Sequence, residues 1–224
     1  MNATDAVSFE AFRKALTLAA QRVCDAREDL CALDAVAGDG DLGTTLATGF
    51  MAVHDFIAVW DEPDVGAALM RIGACLQRRA PSTIGTLLAS AFLRSGRGLL
   101  GAANLHPVDA ASMLRAAAEA VAELGGAATG ERTVLDAMGP AAAAAERADS
   151  EGATVIETFQ LAAAAARAGA HATAEMEPIH GRAGWIGERA RGRPDAGATA
   201  WAIYVTGLAE ALGGSQDENP LLRT

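Results

Sequence analysis

The chain has 224 residues, 51% of them hydrophobic but only 4% aromatic, and a formal net charge of −10 at pH 7, with a pI of about 4.8. That acidity excludes a general nucleic-acid binder, which needs clustered lysine and arginine to neutralise phosphates. The length suits one domain with an ample core, and the cysteines Cys24, Cys31 and Cys75 lack C-x-x-C spacing, which excludes a disulfide framework and a zinc site and leads us to expect a reduced, cytoplasmic protein.

Phe9, Phe12, Leu16, Ala19 and Val23 recur at helical spacing and predict a first helix from about Ser8 to Glu28. It leads into DAVAGDGDLGTT, Asp34 to Thr45, where Asp34, Asp39 and Asp41 crowd within eight residues among Gly38, Gly40 and Gly43. Like charges this close repel unless they share a proton or a cation. A spacing of five and then two does not put all three on one helix face, whereas a glycine-rich loop can fold them around a hard, oxygen-seeking ion such as Mg²⁺. Gly43, Thr44 and Thr45 would open the next helix, whose N–H groups suit a phosphate.

Other readings of this stretch fit less well. Gly38, Gly40 and Gly43 match G-x-G-x-x-G, but no clear strand precedes them and the acids would face a pyrophosphate. A Walker A loop would need lysine where Thr44 stands, and an EF-hand would need glycine at Thr44 and glutamate at Phe50. A solvated acidic loop with helix-capping aspartates is the plain alternative.

The second predicted helix carries Leu46, Phe50, Val53 and Ile57 and stops before Pro63; the third carries Val65, Leu69, Ile72 and Leu76 and closes on the basic turn Gln77-Arg78-Arg79. Ser82-Thr83-Ile84-Gly85 is another polar helix entrance, an ordinary cap when taken alone. The fourth helix runs through Leu88 and Phe92 to Gly96. The fifth follows Pro107, carries Met113, Val121 and Leu124, and ends at Gly125-Gly126.

Glu131-Arg132-Thr133 leads into a sixth helix containing Pro140 and the tract Ala141 to Ala145, and a seventh covers Thr154 to about Ala174. The charges Glu146, Arg147 and Arg167 interrupt the alanine tracts, so no run reaches the length of a membrane span, and no secretory leader pattern opens the sequence. Arg182, Arg189, Arg191 and Arg193 then gather in a stretch with five glycines, Gly181 to Thr199, where guanidinium forks could meet phosphates or simply balance an acidic body. Asp195 to Thr199 opens a last helix with Trp201, Tyr204, Val205, Leu208 and Leu212. About eight helices with mostly short connections predict an all-α antiparallel bundle, in which the acidic loop, the Ser82 entrance, the Gly130 region and the arginine stretch all fall at one end.

Four segments in this order, DAVAGDGDLG at Asp34 to Gly43, STIG at Ser82 to Gly85, ERTVLD at Glu131 to Asp136 and GRAGWIGERARGRPDAGA at Gly181 to Ala198, resemble the L subunit, or nucleotide-binding domain, of dihydroxyacetone kinases. The resemblance implies an eight-helix barrel-like bundle that holds ADP or ATP at one end through two Mg²⁺ ions. By position, Asp34, Asp39 and Asp41 would be the metal ligands. Leu42, Gly43, Thr44, Thr45, Ser82 and Thr83 would line the phosphates, and Gly125 or Gly126, Val134, Arg182, Asp195, Ala196 and Gly197 would contact the nucleotide.

In that family a partner K subunit holds dihydroxyacetone, and the phosphoryl group comes either from ATP or from ADP recharged by a phosphocarrier of the phosphotransferase system. The metal aspartates and Arg182 would then carry the catalysis. Leu42 stands where the family often has histidine, Pro81 to Ile84 where it has Gly-Ser-Ser-Gly, and Ala196 where it commonly has proline. These departures mark a divergent branch, acting with a K-type partner on dihydroxyacetone or another short ketose such as erythrulose; the competing expectation is a nucleotide-sensing regulatory protein without kinase activity. Neither nucleic acid nor membrane is an expected partner.

Overall fold

The computed structural model describes residues 6–180 and 191–214; Arg182 and Arg189, and the tail from Gln216, lie outside them. Nine α-helices are present among the described residues: α1 Phe9–Asp25, α2 Arg27–Ala37, α3 Leu42–Ala58, α4 Val65–Arg79, α5 Thr83–Arg97, α6 Pro107–Gly125, α7 Leu135–Ser150, α8 Val155–Ala172 and α9 Ala196–Gly213. The all-α class is as expected, and none of these helices is long and apolar enough to cross a membrane. Two short strands, β1 Val7–Ser8 and β2 Asn104–Leu105, pair antiparallel with Val7 opposite Leu105 and tie the start of α1 to the α5–α6 connection.

Most helix starts carry the chemistry that their N-termini demand. Ser8, Asp64, Ser82, Thr154 and Asp195 each accept a backbone N–H from the first turn of α1, α4, α5, α8 and α9. Pro107 opens α6, and Gly126 ends it in the left-handed conformation at φ 63°.

Each helix from α3 to α8 packs on its successor, and α1 packs on both α3 and α9, so eight helices close into a ring. The ninth helix, α2, is extra to that ring and lies on α3. Its separation from α1 by Ala26 alone differs from the expected single helix reaching Glu28. No glycine, proline or polar cap marks the break, and Leu30 is the one buried residue of α2, so no apolar stripe betrays the element.

The most deeply buried member of the ring is α9, which is buried without interruption from Ala196 to Ala209. A helix apolar on every side belongs inside. From it Tyr204 reaches the rings of Phe50 on α3 and Phe92 on α5, at centroid separations of 5.5 and 5.4 Å.

The beginnings of α3, α5, α7 and α9 gather at one end. A Cβ added at Gly197 would lie 3.4 Å from Ile84 and 3.6 Å from Val134, which puts the first turns of α9 and α5 beside the start of α7. Gly49 of α3 faces Ala80, two residues before the Ser82 cap of α5. Because neighbouring helices of such a ring end where these begin, their dipoles largely cancel at a distance; attraction for an anion there is local to the exposed N–H groups.

Candidate nucleotide and metal site

The acidic loop is shaped by the way α2 and α3 meet. Asp34 lies on the last turn of α2, and its Oδ2 accepts the N–H of Leu42, the first residue of α3, at 3.3 Å. The Gly38 N–H bonds the Asp34 carbonyl at 2.5 Å and ends α2, and a Cβ at Gly38 would run into the Asp34 carboxylate. Gly40 takes φ 77°, a left-handed turn open to glycine and little else, which returns the chain to α3.

The result is that one carboxylate oxygen from each of Asp34, Asp39 and Asp41 lies within 4.8 Å of the others, with Asp34 half-buried and the other two exposed. Three formal negative charges at this spacing make an all-oxygen donor set suited to a hard divalent cation, so these residues fit Mg²⁺. Asp41 stands at the N-cap of α3 without a side-chain cap bond, unlike Ser82 at α5 or Asp195 at α9.

Behind the loop, Gly43 is buried against the Arg27 carbonyl and the Cys31 backbone N and Sγ, so α2 and α3 touch backbone to backbone. Thr44 is exposed, its Oγ1 3.5 Å from Cys31 Sγ, and Thr45 N–H already bonds the Asp41 carbonyl at 2.9 Å. With the Leu42 N–H on Asp34 and the Thr45 N–H on the Asp41 carbonyl, Gly43 and Thr44 are left to supply first-turn N–H groups next to the carboxylates.

The other expected residues are placed around the same end of the ring. Ser82 accepts the Gly85 N–H at 3.1 Å, so it is an N-cap in fact, with its hydroxyl proton still to donate, and Thr83 beside it is exposed. Gly125, exposed at the end of α6, faces Leu87 in the first turns of α5. Val134 is buried next to Gly197.

Asp195 caps α9 through the Ala198 N–H at 2.7 Å, and its own N–H bonds Thr173 Oγ1 at 2.7 Å. Burial raises its carboxyl to about 6, opposed by the Ala198 N–H and by the charge of Arg132. Arg193 is exposed. Arg182 falls among residues 181–190, outside the described part of the chain.

Several residues that shape this end belong to the ERTVLD segment but have no role assigned to them by the resemblance. Asp136, 1% exposed, takes the N–H groups of Gly130 at 2.5 Å and Thr133 at 2.7 Å. Arg132, 7% exposed, reaches the carbonyls of Arg193 at 2.9 Å and Met176 at 3.5 Å, and Glu131 pairs with His180 at 2.5 Å. Thr133-Val134-Leu135-Asp136 has the Ser/Thr-x-x-acid spacing of a capping box, a signal that could have assigned Asp136 from sequence.

Comparison with known proteins places these features in a family. The DAK2 domain matches residues 36–210. The chain is similar to D-erythrulose kinase of Mycolicibacterium smegmatis, 34% identical over 201 residues that are 89% of this chain and 35% of that protein. It is also similar to the ADP-binding subunit DhaL of PEP-dependent dihydroxyacetone kinase 2 of Listeria innocua, 32% identical over 79% of this chain and 83% of that subunit. Among solved structures, the dihydroxyacetone kinase of C. freundii in complex with AMP-PNP and Mg²⁺ superposes with a TM-score of 0.71 at 26% identity, over 94% of this chain and 34% of that one. The chain thus spans about a third of the length of the kinase relatives, but most of the free-standing ADP-binding subunit.

Proposed function

Because the chain belongs to the DAK2-domain family, we propose that it is the nucleotide-binding unit of a dihydroxyacetone-type kinase. The observation that carries this reading is the Asp34, Asp39 and Asp41 cluster set directly at the N-terminus of α3, so that cation and phosphate would be held at one point. The C. freundii kinase binds AMP-PNP and Mg²⁺, and the Listeria subunit is named for ADP, which supports both ligands here.

Two Mg²⁺ ions bound by the three aspartates would neutralise charge on the phosphates as it shifts during transfer. The segment Leu42 to Thr45, through the N–H groups of Gly43 and Thr44, orients the phosphates together with Ser82 and Thr83. Gly125, Gly126, Val134 and the Asp195-Ala196-Gly197 turn hold the rest of the nucleotide, and Arg182 adds positive charge from the arginine stretch. The bond from the terminal phosphorus to its bridging oxygen breaks, and a new one forms to a hydroxyl oxygen of the ketose. The hydroxyl proton leaves to the partner, since no residue of this chain is assigned as its base.

The acceptor, dihydroxyacetone or a short ketose such as erythrulose, is held by a K-type partner unit; the names of the erythrulose kinase and of the Listeria dihydroxyacetone kinase subunit support this class of acceptor. The donor is ATP, or ADP rephosphorylated in place by a phosphotransferase-system phosphocarrier, the route that the PEP-dependent naming of the Listeria relative supports. A cytoplasmic setting fits both donors.

The test is calorimetric titration of nucleotide-stripped protein with ADP and with ATP, in Mg²⁺ and then in EDTA. Metal-dependent binding is the expected result. Absence of binding in both conditions overturns the reading. Turnover assays with a K-type subunit, with ATP or with a charged phosphocarrier, then separate the two donors.

A further inference from the structure

Arg132 has no role in the site as motif alone describes it, yet its geometry is unusual in two respects. It is the one non-glycine residue with positive φ among those described, at 57°, a conformation disfavoured for a side chain with a Cβ. It is also an arginine exposed by only 7%, where burial of a guanidinium carries a desolvation cost that lowers its pKa against the counteracting charge of Asp195.

The surrounding bonds explain how this arrangement is kept. Asp136 takes the N–H groups of Gly130 and Thr133, the residues two before and one after Arg132, and so fixes the turn. The turn directs the guanidinium inward, where Nη2 donates to the Arg193 carbonyl at 2.9 Å and Nη1 reaches the Met176 carbonyl at 3.5 Å. Glu131, adjacent, accepts the Ala128 N–H at 2.8 Å and pairs with His180. Two residues of the α6–α7 connection therefore grip the α8–α9 connection at Met176, His180 and Arg193.

Arg193 lies two residues before the cap of α9, and Val134 two residues after Arg132. The two elements are neighbours here, since a Cβ added at Gly197 would lie 3.6 Å from that of Val134. We propose that Arg132 is a positioning residue for the nucleotide: its planar fork fixes the first turn of α9, Asp195 to Gly197, against Val134. The proposal rests on the nucleotide-binding reading of those positions. A lysine cannot reproduce it, because a single ammonium on a flexible stem lacks the fork that spans two carbonyls.

The experiment compares Mg·ADP affinity and melting temperature for wild type, Arg132→Gly and Arg132→Lys, with and without methylguanidine. Glycine accepts the left-handed turn without strain, so Arg132→Gly deletes the fork while sparing the backbone. The expected result is a ten- to hundredfold weaker Mg·ADP affinity in both variants, with methylguanidine restoring much of it in Arg132→Gly but not in wild type or Arg132→Lys. If Arg132→Gly does not fold, Arg132→Lys carries the comparison. Wild-type protein that fails to bind Mg·ADP removes the nucleotide reading itself; wild type that binds, with a folded variant binding equally tightly, overturns the positioning role alone. A loss of affinity that methylguanidine leaves untouched in folded Arg132→Gly also overturns it.

Discussion

The Asp34 carboxylate and the Leu42 N–H are joined across the turn between α2 and α3, at 3.3 Å. One side chain thus both offers an oxygen to the three-carboxylate cluster and holds the first turn of the helix that would receive the phosphate. Asparagine can keep the bond to Leu42 while removing the charge. Asp34→Asn is therefore expected to fold and to lose Mg²⁺-dependent nucleotide binding, whereas Asp34→Ala loses the loop geometry as well; melts with and without Mg·ADP separate the two.

Asp39→Asn and Asp41→Asn each remove one of three neighbouring charges while keeping a side-chain oxygen in place. In EDTA both variants should remain folded with melting temperatures close to that of wild type. In Mg·ADP at a hundredfold over its Kd, wild type should gain about 2.7 kcal/mol by mass action, and the variants should gain little. Variants that retain the full ligand-induced shift would show that the cluster is not the cation site.

Gly43→Ala tests the contact between α2 and α3. The added methyl group meets the Arg27 carbonyl and the Cys31 backbone, so the helices must part. Overpacking of this kind costs about 1–3 kcal/mol, to be read by urea denaturation, and Mg²⁺ response should fall with it because Asp34 moves with α2. Unchanged stability would mean that α2 shifts freely on α3.

Asp195 gives a signed pH dependence. Its carboxyl is raised by burial to about 6 in the fold, above the ordinary range of an unfolded aspartate near 3.9. The folded state therefore holds this proton more tightly, a contribution to stability that is fully present below about pH 4 and is lost as pH rises through about 6. Asp195→Asn keeps an N-cap acceptor without the charge. It should melt above wild type at pH 7 to 8, with the difference vanishing towards pH 4; the opposite trend would show that the charged cap is net stabilising.

Tyr204 tests the interior. Its hydroxyl is buried with no hydrogen-bond partner among the described residues, beside a cavity of about 20 Å³ bounded also by Ser95 and Trp201. Tyr204→Phe is expected to leave the melting temperature unchanged or raise it by a degree or two. A clear fall would mean that a water in that cavity bonds the hydroxyl, as a volume of this size permits.

Helical periodicity and caps made most of the ring readable in the sequence. The apolar stripes of α3, α4 and α5 and the caps Asp64 and Ser82 signal elements at the places where they occur. The α2 helix escaped because it is bounded by Ala26 and buries Leu30 alone, so neither punctuation nor period distinguishes it. For the site, crowding of Asp34, Asp39 and Asp41 was visible from spacing, and the fold does bring their oxygens together. Arg132 and Asp136 were legible only as part of a motif, because their partners Arg193, Met176 and Gly130 are backbone groups, which carry no residue-specific trace in a sequence.

The burial of α9 on every side from Ala196 to Ala209 has a thermodynamic corollary. Its first turn cannot tilt or slide towards a ligand without disturbing Trp201 and Tyr204, so local opening at Gly197 and global unfolding become one event. Amide exchange along this helix should then slow together when nucleotide binds, by a single factor from end to end, rather than fade with distance from the ligand. The molecule's most inert element and its most responsive one would be the same helix.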